Sequence, residues 1–244
     1  MMKYLPILIL LIVPILFFAC KEEVKQEPID LALNFDFVAG NTDLLYTTEV
    51  YTNAAGNDFS VDNFWMYISN IQFMDAEGTV SYSIENSYHL LAEDADLTNT
   101  QIMLKELPWT QFKYIQFSIG VDAATNTDIS AIAGDLDPAR AWNWNTGYKF
   151  VSLEGDYYPP SGDPRGLVMH IGLDQNYKTL KFELTEQVQA AVKDGQMNFK
   201  VDIMRLFNGE NEIDFEVNNT IKAQVIESGQ VANNYENGMI QLAN

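Results

Sequence analysis

Leu31, Leu33, Phe35 and Phe37 alternate with Ala32, Asn34, Asp36 and Val38, and this period of two predicts a strand with one buried face. Gly40-Asn41 then punctuates the chain. Phe59 to Met74 is long, aromatic and β-branched, with Phe64, Met66 and Ile68 in one phase and Ile71 and Phe73 one step later. That change of phase near Ser69-Asn70 predicts a bulge or bend in one long strand. Ala76-Glu77-Gly78 reads as a turn, with Thr79 to Ile84 as the returning strand. Further strands are predicted at residues 87–92, 113–121, 148–155, 166–173, 179–184 and 197–207. Residues 185–193 read as a short helix, and 218–228 suits either a helix or a strand. Many short strands, polar turns and no repeated strand–helix alternation predict an all-β fold, an antiparallel β-sandwich.

The N-terminus follows a different pattern. Met1 to Lys3 are a short basic start, and Tyr4 to Ala19 run almost wholly apolar. That run is short for a spanning helix, which needs about 20 residues, and fits the apolar region of a secretory signal. It ends in Phe17-Phe18-Ala19-Cys20, which resembles a bacterial lipoprotein cleavage box. Cys20 is the only cysteine in the chain. The expected organisation is a signal peptide over 1–19, a lipidated Cys20 with a polar tether over 20–29, and one domain over 30–244. Lys21-Glu22-Glu23 resembles the surface-export signal of lipoproteins in the Bacteroidetes. The protein is thus expected outside the cytoplasm, on the outer membrane and facing the cell surface, held by acyl chains rather than a span.

Composition removes several functions. With 14 Lys+Arg against 34 Asp+Glu and a formal net charge of −20, the chain lacks the basic clusters that nucleic-acid binding needs. One Cys and two His exclude a disulfide framework, a Cys₂His₂ zinc site and a CxxC redox pair. HExxH, GxSxG, GxGxxG and P-loop motifs are absent, so the sequence does not read as an enzyme. Asp122, Asn126, Asp128, Asp135 and Asp137 gather oxygen donors without EF-hand spacing, and read as an acidic surface loop.

Three clusters carry a resemblance. Trp142-Asn143-Trp144 followed by Gly147-Tyr148-Lys149-Phe150 resembles the W-x-W-x-x-G-Y-K-F signature of the MbnP-like copper-binding family. Phe117 to Val121 with Asn126 resembles its F-x-x-G-V…N segment, and His170-Ile171-Gly172 its H-[IL]-G strand. Phe64 to Ile71 is similar to the family's Y-[IL]-S-x-[IL] strand, and Tyr88-His89-Leu90 to its Y-H-L pattern. The order holds from about residue 31 to 240. The resemblance implies a secreted, non-catalytic β-sandwich that binds copper. In the best-known branch, a partner dihaem enzyme of the peroxidase-like type oxidises a Trp to kynurenine, which joins the site.

His89 and His170 are the candidate metal ligands, and they can meet only through the fold. Trp142 and Trp144 are the candidate oxidised residues. Each has a plainer reading: His170 as a packed strand residue, the Trp pair as a plug between sheets. Two departures stand out. Thr127 follows Asn126 where methanotroph-type members carry His, and Asp137-Pro138-Ala139-Arg140-Ala141 replaces the usual Gly-Met before the Trp pair. The alternative functions are a glycan-binding surface lipoprotein, with Trp and Tyr stacking on sugars, and a purely structural cell-surface module.

Overall fold

A computed structural model describes residues 27–94, 98–108, 112–130, 133–143 and 146–243. Cys20 and Trp144 lie outside the described residues. The chain begins with β1 (Ile29–Ala39), β2 (Thr42–Asp43), β3 (Tyr51–Thr52), β4 (Asp58–Met74) and β5 (Val80–Ser83). It continues with β6 (Tyr88–Asp94), β7 (Thr98–Asn99), β8 (Gln101–Leu107) and β9 (Tyr114–Ile119). A four-residue helix, α1 (Ala123–Asn126), precedes β10 (Ala141–Asn143), β11 (Gly147–Tyr158), β12 (Arg165–Gly172) and β13 (Lys178–Glu183). Then come α2 (Glu186–Lys193), β14 (Gln196–Asp202), α3 (Phe215–Asn218), β15 (Thr220–Ile221), α4 (Val225–Glu236) and β16 (Ile240–Ala243).

Two sheets form the sandwich. The small sheet runs β16-β14-β1-β2, with β8 also paired to β1. The large one runs β13-β9-β4-β11-β12-β15, with β3, β5 and β6 on the other edge of β4. The buried face read in β1 is found, although Ala32 and Val38 on its other face are buried as well. Leu31 and Leu33 are fully buried, and Phe35 and Phe37 nearly so. They face Phe64, Met66 and Ile68 of β4 across the main core.

The sandwich is not wholly antiparallel. β1 pairs in parallel with β14, and β12 with β15. Parallel pairing needs a long connection between its strands. Here more than 150 residues separate Asn34 from its partner Asn198.

β4 bends where its phase changes. Its register with β9 shifts between Ser69 and Gln72, and Asn70 sits there with φ 54°. Asn tolerates this left-handed conformation better than most residues. The Asn70 backbone N–H donates to the Ser87 carbonyl at 2.9 Å, and its amide donates to the Tyr177 hydroxyl at 2.6 Å.

Other elements end for visible reasons. Thr185 Oγ1 accepts the Val188 N–H at 3.3 Å and so starts α2. The predicted strand over 197–207 stops at Asp202, whose carboxylate accepts from Met204 N and from Gly40 N. The chain then turns through Ile203–Leu206. Residues 218–228 contain both predicted alternatives, the two residues of β15 and the start of α4.

Candidate functional site

Residues directly opposite in a ladder share a face of the sheet. On the outer face of the large sheet, Trp65 of β4 lies opposite Ser152 of β11, and Ser152 lies opposite His170 of β12. Trp65 and Tyr67 join Tyr88, Ala92, Val121, Tyr148 and Phe150 in a second, smaller core on this side. Burial pushes the Tyr67 hydroxyl up to about 12, although the Asp137 N–H donates to it.

Three family-like segments interlock over this core. Asn126 Oδ1 accepts the Tyr148 N–H at 2.8 Å, and its Nδ2 donates to Asp174 Oδ1 at 2.8 Å. Gly147 has φ +76°, and a Cβ there would lie 2.2 Å from Asn126 Oδ1. Gly172 leaves room for the Trp142 indole, since a Cβ there would lie 2.8 Å from Cζ3. The F-x-x-G-V…N, G-Y-K-F and H-I-G segments therefore form a structural lock. Within the acidic loop, Asp122 caps α1 and accepts from the Tyr88 hydroxyl, and Asp137 accepts the Ala139 N–H. Asp128 accepts from Ser130. Thr127 bonds back to the Ala124 carbonyl at 2.9 Å.

His170 stands beside the lock. Its Nε2 lies 2.6 Å from Glu154 Oε1, and Asn63 Nδ2 donates to Oε2 at 3.3 Å. Burial lowers the His170 pKa, with Lys149 and Lys222 acting in the same direction against the Glu154 hydrogen bond. Burial alone would raise Glu154, but bonds from His170 and Asn63 with the His170 and Lys149 charges hold it below its ordinary value. A neutral imidazole beside an ionised carboxylate donates Nε2–H and keeps its lone pair on Nδ1. Gly172 is two residues past His170 on the same face, so Trp142 covers the neighbouring position, about 7 Å along the strand.

Cations frame the site. Arg140 Cζ lies 4.7 Å and Lys149 Nζ 5.8 Å from the Trp65 ring centroid. The register shift between Lys149 and Val151 places an extra residue in β11, and Lys149 and Phe150 both reach the outer face. Arg140 comes from the Pro138–Arg140 turn that replaces the family's Gly-Met.

His89 does not join this site. It lies opposite Ile68, on the sheet face turned to the main core, whereas His170 shares the Trp65 face. Their strands, β6 and β12, are separated by β4 and β11, three strand spacings or about 14 Å. Metal–nitrogen bonds of about 2 Å cannot bridge that gap, so the expectation of one ion shared by His89 and His170 is corrected. Among the described residues, no three His, Cys, Asp or Glu converge to hold a metal. The site residues missed in the sequence are Glu154, Trp65, Arg140 and Lys149. Glu154 carried a signal: an acid inside the apolar strand VSLEG needs a partner.

Acid should destabilise the fold in two windows. Burial lowers His89, against the pull of Asp135, and lowers His170. Stability is then full above the unfolded pKa of 6.5 and falls as the unfolded chain takes up protons first. Glu154 and Asp122 have lowered pKa values and contribute stability that is lost only below the ordinary carboxylate range. Melting curves from about pH 7.5 to about pH 2.5 test both windows, and His89→Gln should flatten the upper one (pH values set about the reference pKa values). An unchanged upper slope would contradict it.

A model of the MbnP family matches residues 28–227. The solved structure of MbnP from Methylosinus trichosporium is similar, with 17% identity, a TM-score of 0.54 and 81% of each chain covered. No curated relative matches by sequence. A match across most of the chain, together with a lock built from the family's own segments, identifies this β-sandwich as a member of the MbnP family.

Proposed function

We propose that this protein binds copper outside the cytoplasm, with His170 as its imidazole ligand. Membership of the MbnP family supports a copper-related, extracytoplasmic and non-catalytic role for this chain. The observation that carries the proposal is the His170–Glu154 pair beside Trp142. An orienting carboxylate that fixes the tautomer of a ligating histidine recurs in metal sites. The donor set is small. A single imidazole suits Cu(I), which accepts few ligands, better than Cu(II), which prefers a tetragonal set of N and O donors. His170 would hold the ion through Nδ1, and Glu154 would orient the ring. Trp142 or Trp144, oxidised to kynurenine by a dihaem partner, would add an amine and a carbonyl. Cys20 would carry the lipid anchor and tether the domain to the outer membrane, facing outward.

Competition titration of the mature domain with Cu(I) tests this reading. Binding tighter than about 10 μM is expected, with at least a tenfold loss in His170→Ala and none in His89→Ala. Equal affinity in His170→Ala and wild type would sink it. Mass spectrometry of the native protein tests for Trp-to-kynurenine conversion separately.

A further inference from the structure

In a chain with 14 basic and 34 acidic residues, carboxylates are in excess for every cation. Most of the described cations are engaged. Lys105, Lys113, Lys178, Arg165 and Arg205 pair with acids, and Lys200 donates to the Gly40 carbonyl. Lys181 lies over the Tyr114 ring, and Lys193 ends α2, where the helix dipole favours a cation. Arg140, Lys149 and Lys222 differ. Among the described residues, no carboxylate pairs with any of their side chains.

All three stand at one place on the outer face of the large sheet. Arg140 Cζ and Lys149 Nζ share the Trp65 ring at 4.7 and 5.8 Å. Lys222 follows Ile221, whose ladder partner is Met169, so the parallel register sets it beside His170. Burial lowers the Lys149 pKa; Glu154 opposes it, and Arg140 and Lys222 push it further down. A shared ring attracts two cations but neutralises neither. Arg140 Nε is moreover buried with no acceptor among the described residues, and a buried donor without a partner destabilises its surroundings. The carboxylates on this side are committed elsewhere. Glu154 accepts from His170 and Asn63, Asp137 from the Ala139 N–H, and Asp174 from Asn126.

A guanidinium fork beside an ammonium matches an oxyanion, and the wall of the site narrows which one. Trp142 is half-buried, and its indole crosses Gly172, the residue directly opposite Lys149 in the β11–β12 ladder. The exposed part of that indole gives the carbon skeleton of an organic acid a surface to pack on. Phosphate and sulfate have no such part.

We infer that Arg140, Lys149 and Lys222 hold a small organic carboxylate against Trp142. The inference stands apart from copper, and its test uses the copper-free mature protein. The ¹⁵N-labelled protein is titrated by NMR with acetate, succinate, benzoate, phosphate and sulfate at millimolar concentration, the weak-binding end of the affinity scale. Ionic strength is held constant so that screening is equal in every arm. At least one carboxylate should saturably shift the Arg140 Nε–H and Trp142 indole N–H resonances, and phosphate and sulfate should bind at least about tenfold more weakly. Lys149→Gln and, as a second variant at an exposed position, Lys222→Gln should each weaken carboxylate binding about tenfold, as expected for one charge-assisted hydrogen bond. Lys193→Gln, at the exposed end of α2, should bind as wild type does. If no carboxylate moves those resonances, if both site variants bind as wild type does, if Lys193→Gln weakens binding equally, or if phosphate or an acidic peptide alone binds there, the inference is overturned.

Discussion

Gly147→Val should lower the unfolding midpoint by about 10 °C. Gly147 has φ +76°, where a β-branched residue is strained by about 1–3 kcal/mol. Its new Cβ would fall 2.2 Å from Asn126 Oδ1, and relieving such overpacking costs about 1–3 kcal/mol more. Moving Asn126 breaks its bond to the Tyr148 N–H, a further loss of about 1 kcal/mol. The total of about 4 kcal/mol converts at about 2–4 °C per kcal/mol for a domain of this size. Gly56→Ala is the control. Its φ is +80° but no atom lies within 4 Å of an added Cβ, so only the backbone strain remains. Differential scanning calorimetry of both variants separates strain from the broken lock. A midpoint for Gly147→Val within 2 °C of that for Gly56→Ala would show that the Asn126 lock contributes little (the resolution expected from). Because the lock holds the loop that delivers Arg140 to Trp65, Gly147→Val should also shift Trp emission to the red.

Local patterns could be read from sequence, and long-range geometry could not. The inward alternation of β1 and the bulge at Asn70 follow from residue order alone, because each depends on period and local conformation. β8 was missed. Ile102, Leu104 and Leu107 are buried, but Glu106 at φ 51° breaks the alternation. α4 was seen only at its start, since exposed Val225 and Ile226 and an interior Gly229 disguise the face formed by Val231 and Tyr235. The candidate site shows the same divide. The ordered motifs bring Trp142 and His170 to one surface. Which face His89 takes depends on the register of β6 against β4, and no spacing along the chain gives that. Glu154 becomes a partner of His170 only because it is a diagonal neighbour across the β11–β12 ladder, where Ser152 is the direct one. The two departures also gain a structural meaning. Thr127 closes a helix end, and the Pro138–Arg140 turn supplies a cation to Trp65.

Phe199→Ala should cost about 3–5 kcal/mol, near the upper end for a single core truncation. Phe199 is 1% exposed, and its ring meets three others. It stacks on Phe35 with centroids 5.0 Å apart, and meets Phe117 and Phe182 edge-on at 5.3 Å each. Phe35 and Phe199 belong to the small sheet, and Phe117 and Phe182 to the large one, so this quartet joins the two layers. Each aromatic pair adds about 0.5–1.5 kcal/mol beyond buried area. The cavity would open between sheets whose strands are fixed by their ladders, so collapse around it is restricted. Chemical denaturation should show a lower midpoint with an unchanged slope. A loss below about 2 kcal/mol would mean that the layers can close around the gap. His170 and Glu154 lie on the far side of the large sheet, held by the β11–β12 ladder, so copper affinity should hold while the protein stays folded. Lost copper affinity in a variant that is still folded would mean that the sheets respond as one body rather than as two layers joined through the Phe quartet.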